Sequence, residues 1–375
     1  MIPFNKIHLT GKEHLYISEA MDSQISGDGK FTKKCSKWLE DTICAEKVLL
    51  THSCTAALEM AAILINIQPG DEVIIPSFTF VSTANAFVLR GAIPVFVDIN
   101  INNLNIDVEK IEKAITKKTK AIIPVHYAGN SCDMRKISEI AKAYGLFVIE
   151  DAAQSILSFQ NGKHNGSVGD LSTFSFHQTK NITCGEGGAL VINNPKLSER
   201  AEIIREKGTN RSAFLNKKTS LYTWIDIGSS YLINEISAAF LWAQLQEAKN
   251  ITSKRLQIWQ KYKNEFSEFE NNGKLKLQKL SKNSKINAHI FYILLKDKSS
   301  QQRFIDYMNK NLIQCLTHYV PLHNSPYGKK ISKIKLPLEV TESVSNRLVR
   351  LPIWIGLDNY QKLIIQRAKE FLVSI

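Results

Sequence analysis

The chain has 375 residues, 44% hydrophobic and 22% charged, with only 10 Pro and 18 Gly, which excludes collagen-like and disordered chains and leaves room for two or three domains. Lysine and arginine exceed the acids by +13, a balance that favours anionic partners, but the lysines are scattered and form no nucleic-acid module, so no nucleic-acid role is expected. Six cysteines show neither a C-x-x-C pair nor zinc-finger spacing, so no disulfide framework or metal site is expected and the thiols read as reduced.

In chain order, residues 12 to 65 carry a largely helical pattern ending in the apolar run from Thr55 to Leu64. Short β-branched runs then alternate with helical stretches: Val73-Ile-Ile, Pro94-Val-Phe-Val, Ala121-Ile-Ile-Pro-Val, Leu146-Phe-Val-Ile, Thr173-Phe-Ser-Phe and Ala189-Leu-Val-Ile, with helices predicted over 82–90, 108–115 and 133–144. That alternation implies an α/β sheet with crossover connections and ligands bound beyond the carboxyl ends of its strands. A long amphipathic helix with a bend is predicted over 235–266. Beyond it the chain turns Lys-rich, with strands predicted over 287–295 and 312–320 and helices over 342–348 and 360–372. The organisation read from this is a large α/β domain over 1–248 and a smaller α+β domain over 249–375. The N-terminal Met-Ile-Pro-Phe-Asn-Lys lacks the apolar stretch of a signal peptide, and no run of about 18 apolar residues occurs, so a cytoplasmic protein without membrane partners is expected.

The chemistry gathers in two motifs. Glu150-Asp-Ala-Ala-Gln154 follows a strand, and Ser175-Phe-His-Gln-Thr-Lys180-Asn leads into Gly185-Glu-Gly-Gly188. A lysine after a strand can form a Schiff base with an aldehyde cofactor if its pKa is depressed, and a carboxylate at a neighbouring strand end can hold the pyridinium proton of pyridoxal phosphate. Taken singly, such a lysine is usually solvated and such an aspartate a helix cap. A third motif, Thr51-His-Ser53-Cys54-Thr55 running into a helix, offers hydroxyls and unpaired N–H groups suited to a phosphate. His318 and His323 lack a third ligand, so they are not read as a metal pair.

With Gly70-Asp-Glu-Val-Ile-Ile-Pro-Ser-Phe-Thr-Phe80-Val-Ser-Thr, these motifs resemble the DegT/DnrJ/StrS family of pyridoxal-phosphate-dependent sugar aminotransferases, over almost the whole chain. The resemblance implies a fold-type-I transferase, with a large mixed-sheet domain and a smaller α+β domain, working as a homodimer whose active sites lie at the subunit interface. It implies that Lys180 holds the cofactor, Asp151 pairs with the pyridine nitrogen, Gln154 sits by the phenolic oxygen and Phe80 stacks on the ring. Ser53, Cys54 (through its backbone), Thr55 and Ser175 fall where the family binds the phosphate, with Ser230 the candidate contribution from a partner subunit. Asp28 and Phe31 in one turn, Arg211 in Gly-Thr-Asn-Arg-Ser, and His318, Tyr319 and His323 fall near the nucleotide sugar. The segments from Arg205 and from Tyr222, with Gly-Glu-Gly-Gly, are similar to members that transfer an amino group from L-glutamate to C4 of dTDP-4-keto-6-deoxy-D-glucose. The alternatives are a 3-aminotransferase acting on a dTDP-3-keto-6-deoxyhexose and a non-catalytic cofactor-binding regulator.

Overall fold

The structure is a computed structural model that describes residues 1–374. Its strands in chain order begin with β1 (Lys47–Thr51), β2 (Glu72–Pro76), β3 (Ile93–Val97), β4 (Thr119–Ile122), β5 (Phe147–Asp151), β6 (Leu171–Ser175) and β7 (Gly188–Ile192). After residue 270 come β8 (Lys276–Leu277), β9 (Phe291–Leu294), β10 (Lys333–Ile334) and β11 (Leu348–Leu351). An eight-stranded sheet runs β1-β7-β6-β5-β4-β2-β3-β10. Its pairs are parallel from β6 to β10, and β7 is antiparallel to both neighbours, so the sheet is mixed. β2, β6 and β7 are buried at every residue because helices cover both faces, which is why they read as unbroken apolar runs.

The labelled helices are α1 (Glu13–Met21), α2 (Lys30–Ile43), α3 (Cys54–Leu64), α4 (Val81–Val88), α5 (Glu235–Gln246), α6 (Ala248–Asn271), α7 (Glu339–Ser345) and α8 (Asp358–Val373). α3 packs with Ile75 and Leu190 on one side of the sheet, and α2 and α5 pack with Val48, Leu50, Phe174 and Val191. Beyond residue 248 a separate core forms around Tyr262, Phe266, Phe291, Phe304 and Trp354, with Tyr262 and Phe291 rings 4.9 Å apart. Phe78 and Tyr127 meet Ile290, Tyr292 and Leu348 in a cluster that joins the two regions. The C-terminal part also returns to the large sheet, where β10 pairs with β3 and Lys333 Nζ reaches Glu72 Oε1 at 2.7 Å.

Several predicted elements need correction. The segment 12–65 is not all helix: β1 lies within it, and α2 stops at Cys44, whose φ of 60° occupies the left-handed position where glycine usually stands. The predicted strand 312–320 forms only isolated bridges, Ile313 to Ile2 and Leu316 to Arg350, because Leu312 (φ 59°) and Tyr319 (φ 35°) turn the backbone. The predicted helix 342–348 is α7, which ends at Ser345, and Leu348 already begins β11. The bend in the long amphipathic helix falls at Glu247, between α5 and α6.

The start of α2 is secured from a distance. Glu235, 1% exposed at the first turn of α5, accepts N–H groups of Gly29 (3.0 Å), Phe31 (2.7 Å) and Thr32 (3.0 Å), and the Thr32 hydroxyl. It does for α2 what a side-chain N-cap would do, and its negative charge suits the positive end of the helix. Replacing Glu235 with Ala leaves those donors buried and unsatisfied, so urea titration of Glu235→Ala is expected to show a loss of about 1–3 kcal/mol.

Candidate active site

β5 runs one pleat further than the sequence pattern suggested and ends on Asp151, so Glu150 and Asp151 face opposite sides of the sheet. Asp151 lines a cavity of about 660 Å³. Its Oδ2 accepts the Thr83 hydroxyl at 2.6 Å and its Oδ1 accepts Ala153 N–H at 3.2 Å, with Thr83 in turn paired to Thr79 at 2.9 Å. The carboxylate is therefore fixed in direction by the first turn of α4.

The β1 to α3 turn forms another wall. Ser53 caps α3 by accepting Ala56 N–H at 3.1 Å, and the Thr55 and Ser82 hydroxyls pair at 2.8 Å. β7 lies flush against this turn, and a Cβ on Gly188 would sit 2.4 Å from the Cys54 nitrogen, so only glycine fits there. Burial, with Asp151 adding to it, pushes the Cys54 thiol up to about 12. The thiol thus stays neutral, leaving backbone N–H groups and hydroxyls as the polar groups of an anion site. Ser175 ends β6 on the same cavity.

Lys180 follows β6 in a turn closed by its own N–H donating to His177 O at 2.9 Å. Its side chain lines the cavity, and among the described residues it has no ion-pair partner. Burial lowers its pKa; Cys54 and Asp151 oppose this, and Arg350 adds to it. Gln154 is oriented by Ala128 N–H donating to its Oε1 at 2.7 Å and by its own Nε2 donating to the Tyr319 hydroxyl at 2.9 Å. Phe80, at the start of α4, keeps its ring 58% exposed on the cavity, which leaves a face free for stacking. His318 stacks on Tyr319 at 3.6 Å and pairs with the Tyr127 hydroxyl at 2.7 Å; burial, with Arg350 near it, holds its ring well below the usual range.

Ser53, Cys54, Thr55, Phe80, Asp151, Gln154, Ser175, Lys180, His318 and Tyr319 therefore share one cavity. Five other residues singled out in the sequence do not line it. Phe31 is 1% exposed, packed in the core on the buried side of α2. Asp28 is held by Arg205 in a two-pronged pair at 2.7 and 2.8 Å. His323 is buried between Ser77 (2.6 Å) and Glu342 (3.1 Å). Arg211 pairs with Glu206 at 3.1 Å, and Ser230 is exposed and bridges to Glu206 through its backbone. Sequence reading missed Thr83, Arg255, His289 and Arg350, all on the cavity. For Arg350 a signal existed, since it is a charge inside the apolar strand Leu348-Val-Arg-Leu351.

An unpartnered lysine, a fixed carboxylate, an open aromatic face and a hydroxyl-rich helix N-terminus fit pyridoxal 5′-phosphate: an aldehyde for Lys180, a ring nitrogen for Asp151 and a phosphate for the α3 turn. Residues 8–367 match the DegT/DnrJ/EryC1/StrS aminotransferase family. GDP-perosamine synthase of Escherichia coli O157:H7 is 34% identical, across 97% of this chain and 96% of that protein. The crystal structure of DesV from S. venezuelae is similar at TM-score 0.90 and 27% identity, covering 99% of this chain and 98% of that one. The PLP form of the putative sugar aminotransferase Spr1654 from Streptococcus pneumoniae shares the fold at TM-score 0.91 and 24% identity, covering 100% and 99%.

Because burial lowers the Lys180 pKa, more of its amine is neutral at a given pH than on an ordinary lysine. Competitive acetylation of cofactor-free protein across pH 7 to 11 is expected to give Lys180 a lower titration midpoint than exposed Lys37, which its Asp41 partner shifts upward. Equal midpoints would show that the cavity does not activate the amine.

Proposed function

The chain belongs to the DegT/DnrJ/EryC1/StrS aminotransferase family and is a pyridoxal-phosphate-dependent sugar aminotransferase of fold type I, and from that premise we propose that it moves the amino group of L-glutamate onto C4 of dTDP-4-keto-6-deoxy-D-glucose. The product would be dTDP-4-amino-4,6-dideoxy-D-galactose, made in the cytoplasm for a cell-surface polysaccharide. The observation that carries the proposed chemistry is the single cavity lined by an unpartnered Lys180 and by an Asp151 carboxylate held by Thr83. The C4 assignment is supported by the likeness of Gly185-Glu-Gly-Gly188 and of the segments after Arg205 and Tyr222 to C4-acting members. The similarity to GDP-perosamine synthase favours a second reading, in which the sugar is carried on GDP.

When bound, pyridoxal phosphate supplies an aldehyde that captures amines and a ring that draws electrons from the substrate carbon. The chain supplies the rest. The α3 N-terminus with Ser53, Thr55 and Ser175 would hold the phosphate, and Asp151 would keep a proton on the ring nitrogen. Lys180 Nζ, whose pKa burial lowers against the opposing charge of Asp151, would be the group that takes a proton from the substrate carbon and returns it on the other side of the transfer.

A homodimer is part of this reading. Residues 214–227 carry Phe214, Leu215, Leu221, Tyr222, Trp224, Ile225 and Ile227, all exposed, with Trp224 at 77%. So much exposed apolar surface in one segment supports an interface there, and burial against a second copy would be the way for Arg211 and Ser230 to serve the partner's cavity. A guanidinium matches a diphosphate in two-pronged fashion. All six cysteines are unpaired, in keeping with a reducing compartment.

Lys180→Ala is expected to fold normally, to lose the visible absorbance of lysine-bound cofactor and to lose turnover; normal transamination by that variant would refute the assignment. Asp151→Asn should retain the cofactor and lose most of its rate, since a neutral amide cannot sustain a charged ring nitrogen.

Product analysis with a panel of dTDP- and GDP-linked 3-keto and 4-keto sugars decides nucleotide and carbon together. Amination of a 3-keto sugar, with the 4-keto isomer untouched, would refute the C4 assignment alone. Arg211→Ala is expected to raise KM for the sugar nucleotide more than for glutamate.

A further inference from the structure

The start of α4 carries hydroxyls that its own backbone does not use. Phe80 stands at the N-cap position and the helix has no side-chain cap, although Thr79, Ser82 and Thr83 surround that position in the chain. Hydroxyls placed there ordinarily bond a helix N–H or the carbonyl four residues back. Here they are turned to side chains instead. Ser82 pairs with Thr55 of the phosphate turn at 2.8 Å, Thr83 donates to Asp151 Oδ2 at 2.6 Å, and Thr79 pairs with Thr83 at 2.9 Å. All of them line the cavity, and Thr79 and Thr83 are 2% and 1% exposed.

The direction of this chain of hydroxyls follows from its end. An ionised carboxylate only accepts, and a hydroxyl owns a single hydrogen. Thr83 gives that hydrogen to Asp151, so the contact between Thr79 and Thr83 is made by the hydrogen of Thr79. The bonds therefore run one way, from Thr79 to Thr83 to Asp151, and each polarises the next. Ala153 N–H donates to the other carboxylate oxygen at 3.2 Å. Among the described residues Asp151 has these two donors and no cation in a salt bridge with it.

We propose that Thr83, backed by Thr79, is a positioning residue that keeps the hydrogen shared between Asp151 and the cofactor on the ring nitrogen and off the carboxylate. The inference rests on the aminotransferase reading and deepens it: pairing a carboxylate with a pyridine nitrogen does not decide which of the two carries the proton. In a buried site the charged pair is costly to maintain, and a carboxylate without donors takes the proton for itself. Hydrogen bonds to the charged form favour that form. Thr83 supplies one to Oδ2, in a direction fixed by the first turn of α4. Without it Oδ2 is left buried and unpaired, the proton moves from nitrogen to oxygen, and the ring loses the charge that draws electrons from the substrate carbon. Ser82, the neighbouring residue, serves the phosphate end and has no part in this balance.

The test loads the holoenzyme with pyridoxal phosphate carrying ¹⁵N in its ring and reads the nitrogen resonance, which separates protonated from neutral rings without any turnover. Thr83→Val is expected to move that resonance toward the neutral position, and Thr83→Ser, which restores the donor, to return it. Thr79→Val, which leaves the contact between Thr83 and Asp151 in place, should move it in the same direction by less, and it keeps the proposal testable if Thr83→Val fails to fold. Ser82→Ala should leave the resonance where it is. In stopped-flow measurements Thr83→Val should slow the half-reactions with glutamate and with the keto sugar alike, by roughly 10- to 100-fold, the worth of one charge-assisted hydrogen bond, with the Kd of either substrate little changed. A wild-type resonance in folded Thr83→Val and Thr79→Val, or a loss of rate that Thr83→Ser does not recover, would overturn the proposal. If Asp151→Asn also left the resonance unchanged, the pairing of Asp151 with the ring nitrogen would fall, and with it the reading on which the proposal rests.

Discussion

Two adjacent carboxylates at the end of one strand are directed to opposite faces of the sheet, and the architecture of the site follows from keeping both in place. Glu150 is fully buried and accepts His126 Nε2 at 2.7 Å and the N–H groups of Gly166 (2.9 Å), Val168 (2.8 Å) and Gly169 (2.6 Å). Burial alone would raise its pKa; the donors from His126, Gly169 and Val168 reverse that and hold the carboxyl below its usual range. His126 Nδ1 accepts Cys132 N–H at 3.1 Å, so the proton sits on Nε2, facing Glu150. His126 N–H then donates to Asp151 O, and Asp151 N–H to Pro124 O. The strand end that presents Asp151 is thus tied to two loops through the residue before it. The same motif that reads as a catalytic signature is half scaffold.

The site was legible where chemistry is local in the chain. Asp151, Gln154, Ser175 and Lys180 come from two short motifs at strand ends, and alternation alone puts their backbone on one sheet edge. Phe31 and His323 were misread because a motif's residues face several ways, and sequence does not say which face is buried: one packs in the core of α2, the other bridges Ser77 and Glu342. Thr83, Arg255 and Arg350 were hidden for the opposite reason, since each reaches the cavity from an element far away in sequence. In the fold, β1 escaped notice because the left-handed stop of α2 falls on Cys44 and carries no glycine to announce it.

The wall supplied by residues after 248 is held under strain. Tyr319 has a φ of 35°, a region an aromatic residue rarely adopts. It keeps that conformation because its ring stacks on His318, its hydroxyl receives Gln154 Nε2, and its carbonyl accepts the Ser345 hydroxyl at 3.2 Å. Strained residues persist only where surroundings over-determine them. Here the over-determination joins the cluster of Phe78, Tyr127 and Tyr292 to Gln154, so the contact between the two regions and the shape of the cavity are one arrangement.

The placement of β10 has a consequence for synthesis. As the chain leaves the ribosome, β3 is an outer strand with a row of unpaired N–H and C=O groups until residues 333 and 334 arrive to cover it. Six strands inward of it can already be paired by residue 192, so the nascent protein presents an open, apolar sheet edge through the translation of more than a hundred further residues, at rates of roughly 5–20 residues per second. An open edge of that kind invites pairing with other chains, and the late, two-residue β10 with its Lys333 to Glu72 contact is the cap that closes the interval. The catalytic half of the molecule is therefore laid down early but shielded only when its C-terminal part is complete.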